Sequence, residues 1–594
     1  MRRAAVALSA VILALAMVGL GNPASASRQA SGSRHRDPLV TVGSPTTPFS
    51  QNKQNEPTVA INPIDPDIVA AGANDNIDME ACNAGTDNTC PFTPDVGGSG
   101  IYFSFDGGGS WQQPTYTGTT ARNCLGEVGD DDPPCVPEQG PIGTLPRYDE
   151  AGLVSDGDPA IAWGPRRNGG HFSWSNGARL YYANLTSNLS SGGPESFKGA
   201  EAIFVSRTDD VAGAAAGDNN AWKLPVRVSR QSSATFADKE QIWADNAESS
   251  RFFGNVYVCW ANFTGNGAAP VRVARSSDGG RTWAQKQVSP ASNVAPSRWG
   301  RSGCTIRTDS HGVVYVFWEL FQSPFVFLPP HGKLQMVKSF DGGRSWTRPR
   351  TIQRIVDPCY FVDPVIARCM MDGVAGARND LSGAPSVDIA NGAPTGAGAT
   401  NDILLTWVDG RDGLNNEHVM VSFSGDRGAT WSAAAAVETG ANDRGYYSAP
   451  AMSPDGTDAW IVYNAFTDPF REDTRGPGND RSLVGVVLHA DVTPQVGPGT
   501  FSEVDRGAEG DARGSSQNNL RAEFLGDYVY ASATNDYGTF VWNDVRNAAD
   551  CPAMDEYRMS LETGGDVPRP APEQDCPATF GNSDIFGTSV ADPS

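Results

Sequence analysis

An eight-residue pattern, S-x-D-x-G-x-[ST]-W, occurs four times in this chain and constrains its fold more than any other feature. The copies are Ser104–Trp111, Ser276–Trp283, Ser339–Trp346 and Ser424–Trp431. Each copy follows an alternating apolar stretch, such as Leu334–Lys338, which is typical of a half-buried β-strand. The Asp can accept hydrogen bonds from turn amides, the glycines allow positive φ, and the Trp can pack beneath the turn. The pattern therefore predicts a set of repeated β-hairpins.

The repeated pattern resembles the Asp-box, also called the BNR repeat, of sialidase-like β-propellers. The resemblance implies that the motifs lie on the outer face of the blades, away from the active site. We therefore expect the motif carboxylates to brace turns and the motif tryptophans to pack, with no part in catalysis. The carboxylates are those of Asp106, Asp278, Asp341 and Asp426.

Strand-like openings recur along the chain and predict a single all-β propeller of four-stranded blades over residues 38–594. They are Glu56–Asn62, Asp158–Trp163, Glu240–Asp245, Gly303–Thr308, Ala384–Ile389, Ala449–Ser453 and Gly526–Ala531. Their starts lie roughly 60 to 100 residues apart, at or beyond the upper end of the usual blade period. We predict seven blades, with six as the alternative because the last unit is weak.

The last predicted unit ends after its third strand, so its fourth strand has to come from elsewhere. Leu39–Ser44 resembles the outer strands that follow the motifs, such as Leu224–Ser229. Pairing this N-terminal strand with the last blade would close the ring and remove a free sheet edge.

The first 26 residues have the features of a secretory signal peptide. Met1–Arg3 carries the charge, Ala4–Leu20 is apolar, and Pro23–Ala26 supplies a small-residue cleavage site. We expect cleavage before Ser27, a flexible linker over residues 27–37 and a secreted, extracellular protein. No later run is long and apolar enough to span a bilayer.

Ten cysteines in an exported chain predict disulfides. The pairs expected from proximity in sequence are Cys82 with Cys90, Cys124 with Cys135, Cys359 with Cys369, and Cys551 with Cys576, which leaves Cys259 for Cys304. The net charge of −23 argues against nucleic acid and anionic membranes as partners. We expect a monomer whose partner is an extracellular glycan or glycoprotein.

Polar residues collect just before the first strand and just after the second strand of each unit, which places them at the mouth opposite the motifs. Before the first strands lie, among others, Glu56, Asp156, Asp158, Asp238, Glu240, Arg301, Arg378, Asp380, Tyr447 and Glu523. After the second strands lie Asp75, Glu319, Asp409, Arg411, Asp544 and Arg546, among others. Arginine forks bind carboxylates bidentately, so this set is compatible with an anionic ligand.

The resemblance also implies a mechanism in which three Arg clamp a substrate carboxylate, a Tyr activated by a Glu attacks, and an Asp supplies the proton. By position and residue type, the substrate-binding candidates are Arg301, Arg411 and Arg546. The catalytic candidates are Tyr447 with Glu319 as the nucleophile pair and Asp75 as the acid. The chain departs from sialidases because Glu56-Pro57 stands where an Arg-Ile-Pro signature is expected.

Several of these candidates have a structural interpretation. Trp407–Arg411 and Trp542–Arg546 share the pattern W-x-D-x-R. A pattern repeated in several blades favours a brace, with Asp and Arg tying neighbouring blades together, over a ligand clamp. Asp130–Asp132 could bind a structural calcium ion, although a solvated acidic loop is the commoner role. The six His show no metal-binding spacing, so we expect no metal at the active site and no required cofactor.

Two function classes follow. The first is a secreted sialidase-like glycoside hydrolase acting on extracellular glycans, of the exo-sialidase type if catalytic. The second is a non-catalytic propeller that binds glycan or protein at its mouth. A third, weaker hypothesis is endo-acting cleavage of polysaccharide by two carboxylates across the mouth, with Glu240 and Asp409 as candidates.

Overall fold

Seven antiparallel sheets follow one another along the chain and form a β-propeller, as the sequence predicts. The computed structural model describes residues 37–82, 93–124, 135–265, 268–291, 299–322 and 328–593. The predicted signal peptide, most of the predicted linker, Cys90 and Asp130–Asp132 lie outside these residues. In the described part of the chain, no helix has both the length and the apolar character needed to cross a membrane.

Each blade is built outward from its first strand, which lines the central axis. Blade 1 contains Gln54–Ile61, Val69–Asp75 and Ser99–Ser104; blade 2 contains Ala160–Asn168, His171–Asn188, Ala202–Thr208 and Trp222–Arg227, with Leu153–Ser155 added to its second strand. Blade 3 contains Thr235–Ala244, Val256–Thr264, Val271–Ser276 and Ala284–Gln287; blade 4 contains Trp299–Thr308, Val314–Gln322, His331–Ser339 and Arg350–Val356.

The later blades follow the same order. Blade 5 contains Ser386–Ile389, Ile403–Asp409, His418–Ser424 and Ala435–Ala436; blade 6 contains Arg444–Met452, Asp458–Phe466, Ser482–Thr493 and Ser502–Arg506, with the short Gly497–Pro498 and Gly510–Asp511. Blade 7 contains Tyr530–Ala533, Tyr537–Asp544 and Asp584–Ala591. The described chain also contains two hairpins outside the blades, Tyr116–Thr120 with Glu138–Ile142 and Phe361–Val362 with Cys369–Met370. Its α-helices are Val211–Ala215, Pro552–Thr563 and Pro572–Asp575.

The N-terminal strand closes the ring, which confirms the prediction. The Val40 amide donates to the Ile585 carbonyl at 2.8 Å, and the Gly587 amide donates to the Pro38 carbonyl at 3.2 Å. In blade 1, the fourth position is held by Gln112, which exchanges hydrogen bonds with Phe103. The outer edge of blade 7 is therefore paired instead of open.

Tryptophans from the second strands form the core of the seams between blades. Trp260, Trp318, Trp407 and Trp542 are fully buried, and each packs against residues of the preceding blade. A buried Trp removes roughly 150–250 Å² from water, so each seam is closed by a large apolar contact. The ring is consequently a rigid base for the loops at its mouth.

The four motif turns are braced as the sequence predicts. In blade 4, Asp341 Oδ1 accepts hydrogen bonds from the amides of Arg344 at 3.0 Å and Ser345 at 2.8 Å, and Oδ2 accepts one from the Ser345 hydroxyl at 2.6 Å. The carboxylates of the other three motifs likewise accept hydrogen bonds from the amide and the hydroxyl of the residue four positions on. Each motif tryptophan packs at the seam with the neighbouring blade. These carboxylates are structural.

Four of the five predicted disulfides are present, and the fifth involves Cys90, outside the described residues. Cys259 lies in the second strand of blade 3 and Cys304 in the first strand of blade 4. Their bond therefore links two adjacent blades covalently.

A carboxylate-rich cavity at the mouth of the propeller

A cavity of about 750 Å³ opens where the first strands begin, on the face opposite the motif turns. Its lining includes Glu56, Asp156, Asp158, Asp238, Arg378 and Asp380, all from the positions that the sequence assigns to the mouth. Glu201, Asp357, Lys53, Lys239 and Arg368 line it as well. Seven carboxyl groups therefore face four cationic side chains in this cavity.

Charged residues occupy strained backbone positions at the entrance of the first three blades. Glu56, Asp158 and Lys239 have φ of 57°, 50° and 58°, and the corresponding residue of blade 4 is Gly303 with φ of 60°. A non-glycine residue in this region costs roughly 1 kcal/mol or more, and such strain concentrates at functional sites. The register of the first strand shifts at this point in blades 1, 3 and 4, so a bulge turns these side chains toward the axis.

A buried ion cluster forms the floor of the cavity. Lys239 Nζ lies 2.6 Å from Asp527 Oδ2, 3.0 Å from Asp158 Oδ2 and 3.6 Å from Asp238 Oδ1. Arg378 Nη2 lies 2.8 Å from the same Asp527 oxygen. Asp527 thus joins the two cations, which hold its pKa well below the usual range despite its burial.

Arg378 also links this floor to the rim of the cavity. Its Nε lies 3.4 Å from Asp380 Oδ2, and Arg368 Nη1 lies 3.7 Å from the same oxygen. Arg378 and Asp380 come from the insertion over residues 372–383, and Arg368 comes from the hairpin closed by the Cys359–Cys369 disulfide. This insertion therefore contributes directly to the site.

Three carboxyl groups of the cavity hold their protons up to neutral pH. Burial raises the pKa of Asp238 to about 7 against the attraction of Lys239. Burial, with the nearby Asp380 and Asp409 carboxylates, raises the pKa of Asp357 to about 7. Burial, with the nearby Asp156 and Asp238, raises the pKa of Glu201 to about 8. Such groups can donate a proton near neutral pH.

These shifts predict that the folded protein loses stability as the pH rises from 5 to 7. The unfolded chain releases the protons of these carboxyls near pH 4, whereas the folded protein keeps them to about pH 7. The stabilisation is thus fully present below the unfolded pKa and is lost as the pH rises through the folded value, by at most roughly 1.4 kcal/mol per pH unit for each group. Burial also lowers the pKa of Lys53 to about 7. This lysine makes the folded protein more stable as the pH rises, but only above about pH 7, outside that range.

The check is a thermal unfolding series between pH 5 and pH 7 at constant ionic strength. We expect the midpoint to fall with pH, and we expect Asp238→Asn to reduce the fall because its amide cannot titrate. A midpoint that stays level or rises across this range would contradict the assignment.

Aromatic side chains form one wall of the cavity. Phe236 and Phe263 face each other across the hairpin of blade 3, with ring centroids 5.8 Å apart, and Phe321 follows in blade 4. Phe236 and Asp238 are two residues apart on one strand, so their side chains lie on the same face. Aromatic rings beside carboxyl groups are suited to holding the apolar face of a sugar next to its polar groups.

The two predicted arginines of the W-x-D-x-R pattern act as braces in this structure. Arg411 Nη2 lies 2.5 Å from Asp409 Oδ2, which also accepts a hydrogen bond from Trp407 Nε1 at 3.0 Å. Trp542, Asp544 and Arg546 repeat this arrangement in blade 7. The brace interpretation is therefore supported, with the difference that each brace lies mainly within its own blade.

None of the six residues assigned by resemblance lines the mouth cavity. Asp75 is fully buried and accepts hydrogen bonds from Gln54, Ile77, Tyr102 and Gln113, so every lone-pair direction of its carboxylate is used. These four bonds hold the Asp75 carboxylate in place, and the acid role that the resemblance implies for it stays a prediction.

Tyr447 and Glu319 are buried in different blades, and no hydrogen bond joins them among the described residues. Tyr446 and Tyr447 donate to the Arg378 carbonyl at 2.6 and 3.2 Å, so this pair supports the loop that carries Arg378. Burial raises the pKa of Glu319 well above its usual range. Arg301 is also largely buried, in the first strand of blade 4. The catalytic roles given to these residues stay predictions from resemblance.

The two carboxylates of the endo-acting hypothesis also lie below the cavity. Glu240 is 5% exposed and lines a narrow channel of about 60 Å³ along the axis, and Asp409 is held in the brace of blade 5. Among the residues that the structure describes, the carboxylates best placed for substrate are therefore Asp238, Asp357 and Asp380.

No protein-family model matches this chain, and no curated protein matches it. Solved structures with a similar fold include a Hadza microbial sialidase, 13% identical over 70% of this chain and 63% of that one, with a TM-score of 0.38. NanB sialidase from Streptococcus pneumoniae is 11% identical over 70% of this chain and 66% of that one, with a TM-score of 0.38. The chain thus spans less than two thirds of both sialidases.

A third similar structure is the α-L-arabinofuranosidase from Fusarium graminearum, 10% identical over 73% of this chain and 92% of that one, with a TM-score of 0.38. These likenesses concern the fold alone. Function has to be argued from the site itself.

Proposed function

We propose that this protein is an extracellular glycoside hydrolase that cleaves neutral glycans with two carboxyl groups of the mouth cavity. The observation that carries the proposal is the position of Asp238, whose pKa burial raises to about 7, beside an aromatic wall and in the same cavity as the arginine-bound Asp380. Glycosidases of the two-carboxylate type need one protonated and one ionised group on either side of the scissile bond.

Asp238 is the general acid in this proposal. A sugar ring stacked on Phe236 or Phe263 would lie along the strand face from which Asp238 projects. Its leaving-group oxygen could then receive the Asp238 proton. Lys239, 3.6 Å from Asp238, would stabilise the carboxylate that remains after the transfer.

Asp380 is the second carboxylate, acting as base or nucleophile. It lies on the rim of the cavity and is oriented by the guanidinium groups of Arg378 and Arg368. Positive charge develops on the sugar in the transition state, and the Asp380 carboxylate would stabilise it.

The pairing of the cavity's cations favours a neutral substrate over a sialylated one, because Lys239 and Arg378 are bound to Asp527 and Arg368 lies beside Asp380. A sugar carboxylate would have to compete with these protein carboxylates, and the three arginines of the predicted clamp do not line the cavity. The four disulfides fit an oxidising, extracellular location, in agreement with the predicted signal peptide. A propeller that only binds glycan is the alternative that the following experiment separates.

The test is to incubate the purified protein with pools of neutral and of sialylated glycans and to identify products by mass spectrometry. We expect products from the neutral pool, with kcat lowered roughly 10²- to 10⁴-fold by Asp238→Asn and by Asp380→Asn. Asp65→Asn, at an exposed loop on the opposite face, is the matched control and should keep full activity.

Two results would count against the proposal. Release of sialic acid alone, unaffected by Asp238→Asn, would return the chain to the sialidase hypothesis. Binding of neutral glycans without any product, at high protein concentration, would make it a binding propeller.

A further inference from the structure

Three metal-ligating side chains from two blades meet at the face opposite the mouth. Asp458 begins the second strand of blade 6, His489 lies in its third strand, and Asp592 directly follows the last strand of blade 7. One ligand atom from each lies within 4.8 Å of the other two. Asp458 and His489 are 5% exposed, whereas Asp592 is 24% exposed and faces solvent in part.

Both carboxylates approach the same nitrogen of the imidazole. Asp458 Oδ1 lies 3.1 Å and Asp592 Oδ1 lies 3.8 Å from His489 Nε2. A nitrogen carries at most one proton and makes one good hydrogen bond, so a second carboxylate at this nitrogen gains little from hydrogen bonding. A cation between the three atoms could be bound by all of them.

The separations fit a tetrahedral metal ion. Zinc bonds to imidazole nitrogen and carboxylate oxygen are about 2.0–2.2 Å long, which places tetrahedral ligand atoms roughly 3.3–3.6 Å apart. The observed 3.1 and 3.8 Å lie on either side of that range. The two carboxylate oxygens lie within 4.8 Å of each other, so binding the ion would bring them closer by up to roughly 1.5 Å.

His418 provides a contrast within the same protein. It also lies between two carboxylates, but its Nε2 is 2.9 Å from Asp412 while its Nδ1 faces Glu438. The two carboxylates are on opposite sides of the ring and use both nitrogens, as expected for an imidazolium. Hydrogen bonding therefore accounts for the two carboxylates beside His418. It does not account for the two carboxylates at one nitrogen of His489.

We propose that Asp458, His489 and Asp592 bind one Zn²⁺ ion, with a water molecule as the fourth ligand on the exposed side of Asp592. Thr457 Oγ1 donates to Asp458 Oδ2 at 2.7 Å and would orient that carboxylate as an outer-shell partner. The His489 ring packs beside Trp460, with centroids 5.1 Å apart, which fixes its plane. The ion would tie the end of the last strand of blade 7 to blade 6.

The experiment uses the full exported chain without a histidine tag, freed of metal by a chelator. Zinc content after dialysis is measured by mass spectrometry of the element, and unfolding is followed with Zn²⁺, Mg²⁺ or Ca²⁺ added. We expect one zinc per chain, a higher unfolding temperature with Zn²⁺ alone, and affinity reduced at least tenfold by His489→Gln and by Asp592→Asn. His418→Gln is the matched control and should bind zinc as the wild type does.

A second readout separates ligation from folding. Co²⁺ in the site should give the visible absorption of a tetrahedral nitrogen–oxygen complex, and Asp592→Asn should change it while leaving the metal-free unfolding temperature close to that of the wild type. If His489→Gln fails to fold, Asp592→Asn decides, because Asp592 lies beyond the last strand. A wild-type protein that retains no zinc, or variants that bind it equally well, would show an imidazole held between carboxylates and overturn the proposal.

Discussion

Replacing Lys239 by Met is expected to destabilise the folded protein by about 3–5 kcal/mol, the usual cost of removing one partner from a buried ion pair. Lys239 is 9% exposed and lies within 3.6 Å of the carboxylates of Asp158, Asp238 and Asp527. Methionine has a similar length and no charge, so the change leaves the carboxylates without their common counter-ion. Denaturant unfolding at pH 7 measures the loss.

The second substitution of a double-mutant cycle tests the cause. Asp527→Asn removes the carboxylate nearest to Lys239 Nζ, at 2.6 Å, and should restore part of the stability in the Lys239→Met background. Lys198→Met, at an exposed position, is the control and should cost less than about 0.5 kcal/mol. If the two changes at Lys239 and Asp527 are additive, the ion cluster does not act as a unit.

The fold could be predicted because its signals are local. Each motif couples a turn to the strands on either side of it, and the braces at Asp106, Asp278, Asp341 and Asp426 depend only on residues within four positions. The number of blades follows from counting alternating strands. The closing strand could also be predicted, because its sequence pattern matches that of the other outer strands.

The position of the mouth could also be predicted, but the groups that act together within it could not. Glu56, Asp158 and Asp238 were expected there because they precede first strands. Lys239 and Asp527 meet across the axis from blades 3 and 7, and no local pattern reports a contact of that kind. The sequence offered one signal: Lys239 stands at the same position in its blade as Glu56 and Asp158 do in theirs, at the start of the first strand.

The roles that the resemblance implies could not be weighed from the sequence for a related reason. Arg411 and Arg546 follow second strands, as expected of a clamp, but the Asp two residues earlier binds each guanidinium within its own blade. The charge in the mouth therefore comes from the side chains that are not bound in such local pairs. The Asp458–His489–Asp592 cluster escaped detection because its members come from different strands and share no short spacing.

Deleting residues 37–41, the strand that closes the ring, is expected to cost about 5 kcal/mol and to cause association of the protein. Val40 is fully buried at the seam between blades 7 and 1, and losing such a side chain costs roughly 2 kcal/mol. The backbone bonds to Ile585 and Gly587 and the 3.0 Å bond from Thr41 to Asp584 are lost as well, at about 1 kcal/mol each. The strand Asp584–Ala591 would then present an unpaired edge, which is a template for pairing between molecules.

The deletion is made as a truncation that begins at Val42, and a truncation that begins at Asp37 is the matched control, since it removes 36 residues but keeps the strand intact. Thermal unfolding and size-exclusion chromatography compare the two truncated proteins. We expect the control to unfold as the full chain does and the deletion variant to unfold at a lower temperature and elute as larger species. Adding a peptide of residues 37–44 should reverse both effects, because it can pair with the same edge. A monomeric deletion variant of unchanged unfolding temperature would mean that blade 7 is stable with three strands and that the closing strand does not hold the ring.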